Sequence, residues 1–141
     1  MRILIVEDET LIAMALEASL PILGHEVVGL SENGDAALRL AEAHRPELAT
    51  VNINLGHDKR NGIDVARILW QRHGVRSLFV TGNCSDAQKE RATLGDAAIG
   101  CLAKPFTVLV LGEALTAAQA IMERRPLPDL PEQLEIFSLR G

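Results

Sequence analysis

An alternation constrains this chain more than any single motif does. Short apolar runs are separated by longer amphipathic stretches, and the runs end beside residues that carry chemistry. Ile3-Leu4-Ile5-Val6 meets Glu7-Asp8-Glu9, Leu48-Ala49-Thr50-Val51 meets Asn52, a third run closes on Thr81, and a fourth ends just before Lys104-Pro105. Near-continuous apolar runs are the pattern of strands buried on both faces. Five strand–helix alternations imply a doubly wound α/β fold, a five-stranded parallel sheet with helices on both faces. In such a sheet the strand ends meet along one edge, where ligands bind. That edge would gather carboxylates, a hydroxyl and a lysine. Where a carboxylate nucleophile would complete the set there is a neutral amide, Asn52.

The expected strands are 2–6, 26–30, 47–51, 77–80 and 97–102. Helices are expected over 10–23, over 34–44 with Asn33 as its cap, from the polar loop Gly56-His57-Asp58-Lys59-Arg60-Asn61-Gly62 to His73-Gly74, over 85–94 with Gly95 as its stop, and over 106–124. The chain has 141 residues, 48% hydrophobic and 23% charged, the balance of one globular domain. A net charge of −5 argues against a broad nucleic-acid footprint. No apolar stretch is long enough to span a bilayer, and the N-terminus does not read as a signal peptide. Cys84 and Cys101 make neither a metal motif nor a disulfide framework, which fits a reducing cytoplasm. Past the last helix, Pro126, Pro128 and Pro131 break any helical continuation. Residues 124–141 therefore read as a tail rather than an output domain, with Leu134, Ile136, Phe137 and Leu139 apolar enough to dock.

Taken together, these residues resemble the receiver domain of two-component response regulators across residues 1–123. Glu7-Asp8-Glu9 is similar to the family's acidic pair after strand one, and Asn52-Ile53-Asn54-Leu55 to its phosphoacceptor segment, with Asn52 on the acceptor position. Gly62 stands in the following loop, Thr81-Gly82 at the strand-four hydroxyl position, and Lys104-Pro105-Phe106 at the strand-five lysine and its proline. The resemblance implies a flavodoxin-like strand order, 2-1-3-4-5, a Lys104–Pro105 bond in the cis form, and a place in phosphorelay signalling as a regulator rather than an enzyme. Two positions depart from the pattern. Asn52 replaces the acceptor aspartate, and Cys101 replaces the aromatic residue that rotates on activation.

The family holds Mg²⁺ at this edge. Here Glu7 and Asp8 would supply carboxylates, Asn52 an amide oxygen and Asn54 a main-chain carbonyl. An amide adds no charge, so binding is expected to be weak. Helix capping by the two acids is the plainer alternative. An amide is a poor nucleophile beside a carboxylate, so Asn52 is not expected to accept phosphate. Two origins fit it, a natural pseudo-receiver and a substitution made to block phosphorylation. Asp58 lies in the loop and is not taken as an acceptor. Lys104 would neutralise phosphoryl oxygens, and at rest would pair with Asp8 or with the Asn52 amide. Thr81 would turn its hydroxyl to a phosphoryl group, a rotation that lacks its trigger here.

The expected partners are a histidine kinase or a histidine phosphotransfer protein, with a homodimer through the last helix as a further option, and neither nucleic acid nor membrane. Helices 10–23 and 106–124 are apolar beyond one face, which fits either partner surfaces or cover by the sheet and tail. Two other readings stand beside the receiver. One is a small-ligand or nucleotide-binding doubly wound protein, disfavoured because acids rather than a glycine-rich loop follow strand one. The other is a redox module using Cys84 and Cys101, disfavoured against a small buried hydrophobe and a separate loop cysteine.

Overall fold

A computed structural model describes residues 1–56, 58 and 60–141 of the protein. The polar-loop assignment of His57 and Lys59 lies outside the described residues. Five strands, β1 (Arg2–Val6), β2 (Glu26–Ser31), β3 (Leu48–Val51), β4 (Arg76–Thr81) and β5 (Ala98–Ala103), pair in parallel in the order β2-β1-β3-β4-β5. The connections are α1 (Thr10–Ile22), α2 (Gly34–His44), α3 (Gly62–His73), α4 (Cys84–Lys89) and α5 (Arg91–Leu94), and α6 (Val108–Met122) follows β5. Successive strand side chains point to opposite faces, and the core divides accordingly. Leu4, Val6, Val51, Phe79 and Cys101 pack on one side with residues of α2 and α3. Ile3, Ile5, Leu78, Val80 and Leu102 pack on the other with Leu16 and Leu20 of α1 and Leu111 and Leu115 of α6.

Helix ends follow their local chemistry. Asn33 caps α2 by accepting from Ala36 N, as expected. Asn61 and Asp64 form a reciprocal capping box that starts α3, and Gly74 ends it in the left-handed conformation. The helix expected over 85–94 is instead two short pieces followed by a 3₁₀ turn at Gly95–Ala97. The break falls at Glu90. Its N–H closes a tight turn on the Ala87 carbonyl, its carbonyl accepts from Thr93 Oγ1, and its carboxylate accepts from Arg67.

Two findings go beyond the expected sheet. The tail adds a sixth strand, β6 (Leu134–Ile136), antiparallel to β5, with Leu102 opposite Leu134 and Gly100 opposite Ile136. Gly100 makes this possible, because a Cβ there would stand 2.2 Å from the Glu135 carbonyl oxygen. Phe137 is buried in the same cluster as Cys101. Around it, Arg91 donates to the Phe137 carbonyl, Gln88 to Glu135, and Arg76 to the Asp96 and Arg140 carbonyls. The second finding corrects the expectation of two unlinked cysteines. Cys84 and Cys101 are bonded, with Cα atoms 5.9 Å apart. Their 17-residue separation concealed this, because the β4–α4–β5 crossover folds the start of α4 back over the middle of β5.

Candidate functional site

Parallel register brings the strand ends to one edge. Val6 aligns with Val51, and Thr81 with Ala103. Beyond the ladders, Asn52 N donates to the Val6 carbonyl and Lys104 N to the Thr81 carbonyl, both at 2.9 Å. These bonds carry the backbone geometry one residue past each strand, so the side chains that follow are set by the sheet rather than by free loops.

Glu7 lies at the centre of the edge. Its Oε2 accepts from the Asn52 amide Nδ2 at 2.8 Å, and its Oε1 takes the Lys104 ammonium at 2.7 Å. The Glu7 side chain is 1% exposed and that of Lys104 16%, so this is a buried ion pair. Glu9 adds a longer contact to Lys104 at 3.7 Å. The structure thus corrects the expected resting partner of Lys104, which is Glu7 and not Asp8 or the Asn52 amide. Val6 buries the last β1 side chain on one face, and extended alternation turns Glu7 inward across the edge.

Asp8 takes a different place. It lies at the pocket mouth beside Gly56, which has a left-handed φ of +60° and where a Cβ would stand 3.0 Å from Asp8 Oδ2. Its Oδ1 is buried without a hydrogen-bond partner among the described residues. Glu7, Asp8 and Glu9 each offer an oxygen, all within 4.8 Å of one another, an arrangement that can hold a cation. Asn54 is exposed. Thr81 is fully buried at the end of β4, and its Oγ1 accepts from Asn83 N at 3.2 Å. Asp58 accepts from Gly34 N at 2.6 Å and from Arg60 N at 3.1 Å, tying its loop to the start of α2. The Lys104–Pro105 bond is cis, as the resemblance implied.

Sequence reasoning placed Asn52, Glu7, Asp8, Thr81 and Lys104 at this edge, and the structure brings them together there. It missed Glu7 as the hub. It also missed the closeness of Gly62, where a Cβ would stand 2.0 Å from the Asn52 carbonyl oxygen. A glycine just inside a capped helix was the available signal. Next to Lys104, an apolar groove of about 350 Å³ runs between α1 and the start of α6, lined by Leu11, Ile12, Ala15, Phe106 and Val108 among others. Leu11 and Val108 in its lining are 82% and 48% exposed.

Comparison with known proteins agrees with this geometry. A family model described as the response regulator receiver domain matches residues 3–116. The chain is 36% identical over 118 residues to the transcriptional regulatory protein PdtaR of Mycobacterium tuberculosis, covering 83% of this chain and 56% of that protein. It is 36% identical over 130 residues to the phyllosphere-induced regulator PhyR of Methylorubrum extorquens, covering 87% of this chain and 46% of that protein. Among solved structures, the signal receiver domain of a modulated diguanylate cyclase from Desulfovibrio desulfuricans G20 matches with a TM-score of 0.70 at 31% identity, over 86% of this chain and 96% of that one. The chain spans about half the length of the curated relatives it matches. By fold, by the order of its strand-end residues and by these matches, the chain belongs to the response regulator receiver domain family.

Proposed function

We propose that this receiver does not accept phosphate at Asn52 and signals by protein–protein contact with a histidine kinase or a histidine phosphotransfer protein. The bond from Asn52 Nδ2 to Glu7 carries the reading. At the acceptor position an N–H donor faces a buried carboxylate, and Lys104 is already neutralised by that carboxylate. A nucleophilic carboxylate and a free cation are the two things phosphoryl transfer would need here. The apolar groove between α1 and α6 lies beside Lys104 and supplies the contact surface. Exposed Val108 and Leu109 on α6 fit a second contact, with another copy of the chain. The named relatives are regulators, which supports a non-enzymatic role, and within the tail Leu134–Ile136 serves the receiver itself as an edge strand. Asn52 fits a natural pseudo-receiver as well as a substitution that blocks phosphorylation.

Mg²⁺ fits this pocket in part. The partnerless Asp8 Oδ1, the Asn52 amide oxygen and the Asn54 carbonyl would hold it, and it would supply charge to anionic oxygens. Glu7 would add a carboxylate oxygen already shared with Lys104 and Asn52, and the Asn52 amide adds no charge, so binding is weak. The experiment is incubation with Mg²⁺ and acetyl phosphate or beryllofluoride, read by intact mass and fluorine NMR, for the native chain and for Asn52→Asp. The native chain stays unmodified and the variant forms an adduct. An adduct on the native chain would overturn the reading.

A further inference from the structure

We infer that Cys84 and Cys101 are a thiol–disulfide modification site, oxidised by a peroxide, whose closure fastens α4 and the Thr81 turn to the sheet. The pair lies apart from the bonds among Asn52, Glu7 and Lys104, and its failure would leave the reading of that pocket intact.

The two sulfurs differ in access. Cys84 opens α4 and is half-buried. Cys101 is fully buried in the middle of β5, paired with Phe79 in β4 on one side and with Glu135 in β6 on the other. A small oxidant therefore reaches Cys84, whereas Cys101 is reached from within the fold. With the bond closed the Cα atoms stand 5.9 Å apart, an ordinary disulfide span. In a reducing compartment such a pair rests as two thiols and closes on oxidation.

The chemistry balances with a peroxide as the oxidant. The Cys84 sulfur attacks one peroxide oxygen, the O–O bond breaks, and the departing hydroxide leaves as water with the thiol proton. Cys84 becomes a sulfenic acid. The Cys101 sulfur then attacks the Cys84 sulfur, the S–O bond breaks, and a second water leaves with the Cys101 proton. Two thiols lose two electrons in all, and the peroxide gains them. A dithiol reductant reverses the step by exchange.

The consequence follows from what else holds α4. It has six residues, far below the length at which a helix persists alone. Ala87 is its buried residue, Asn83 pairs locally with Asp86, and Gln88 reaches Glu135 in the tail. The disulfide is its covalent tie to the sheet. Asn83 N, one residue before α4, donates to Thr81 Oγ1. Opening the bond therefore loosens α4 and the Thr81 turn, and with α4 the Gln88 contact to the tail strand.

The test uses the full chain, reduced with dithiothreitol and then treated or not with hydrogen peroxide. Native alkylation with N-ethylmaleimide, peptide mapping and amide hydrogen exchange are the readouts. Before peroxide, Cys84 is labelled and Cys101 is protected. After it, neither is labelled and a Cys84–Cys101 peptide is recovered. Amides of α4 exchange roughly tenfold faster in the reduced chain. In Cys84→Ser and in Cys101→Ala, peroxide leaves exchange unchanged, so one variant serves if the other fails to fold. A linkage between chains instead of within one, equal exchange in the two states, or a peroxide response in either variant would overturn the inference.

Discussion

Asn52 donates its side-chain N–H to Glu7 at 2.8 Å, so the acceptor position of this receiver is a hydrogen-bond donor. The relationship is directional, and it makes Asn52→Asp more than a restored nucleophile. The new carboxylate would face the buried Glu7 carboxylate across the same distance, with one Lys104 to share. Without Mg²⁺ the variant is expected to lose about 1–3 kcal/mol, the usual cost of an unmet buried acceptor. Mg²⁺ should then raise its melting temperature by more than it raises that of the native chain. Thermal melts with and without Mg²⁺ check this, and an equal Mg²⁺ response in the two proteins would count against it.

Removing the other partner tests the ion pair. Lys104→Met keeps the aliphatic stem but leaves the Glu7 carboxylate buried and unpaired. Breaking a buried pair from one side costs about 3–5 kcal/mol, far more than an exposed pair is worth. Urea denaturation should show that loss. The double variant Lys104→Met/Glu7→Leu should recover much of it, because neither charge is then stranded. A double variant no better than the single one would mean that Glu7 is not the group Lys104 compensates.

Three glycines give a graded series. At Gly62 a Cβ would meet the Asn52 carbonyl oxygen at 2.0 Å, backbone against backbone. Gly62→Ala is expected to cost at least about 3 kcal/mol and to displace the Asn52 segment. Gly82, beside Thr81, has nothing within 4 Å of a Cβ. Gly82→Ala should stay within about 0.5 kcal/mol of the native chain. Gly100→Ala acts on the tail, since its Cβ would meet Glu135 O at 2.2 Å. That variant should keep the parallel sheet, lose hydrogen-exchange protection over 134–137, and be cut by protease beyond residue 124. Retained protection there would show that β5 accommodates the side chain.

The sequence made the edge legible because topology does most of the work. Once Val6, Val51 and Val80 are strand residues of a parallel sheet, Glu7, Asn52 and Thr81 have no freedom to be far apart. Which acid meets Lys104 was not legible. Glu7 and Asp8 are neighbours, and the choice depends on how β1 hands over to α1 and on where Gly56 lets the loop pass. The disulfide was hidden for a related reason, because pairing depends on the crossover of α4 onto β5 and not on spacing along the chain. The tail showed its apolar residues but not its target. The clue lay elsewhere, in Gly100 within an otherwise apolar strand, where a missing side chain admits a second backbone.

At the opposite end of β1, His25 gives the fold a pH dependence independent of the pocket. Its Nδ1 faces the Met1 ammonium at 2.8 Å, a contact that needs the ring nitrogen as acceptor. Burial first and the Met1 ammonium second hold His25 below its ordinary 6.5, against an opposing pull from Glu47. The unfolded chain therefore binds a proton that the folded chain refuses in the window just below that value. Stability is full above it and falls as the pH drops through it, levelling once the folded ring also protonates. Glu90 and Glu123, held low by hydrogen bonds from Arg67 and Arg125, act in a separate window below 4.5. The denaturation midpoint should thus fall between about pH 7 and pH 5, and His25→Gln should flatten that stretch. A midpoint that rises on acidification, or the same slope in the variant, would mean that the folded chain protonates this ring as readily as the unfolded one does.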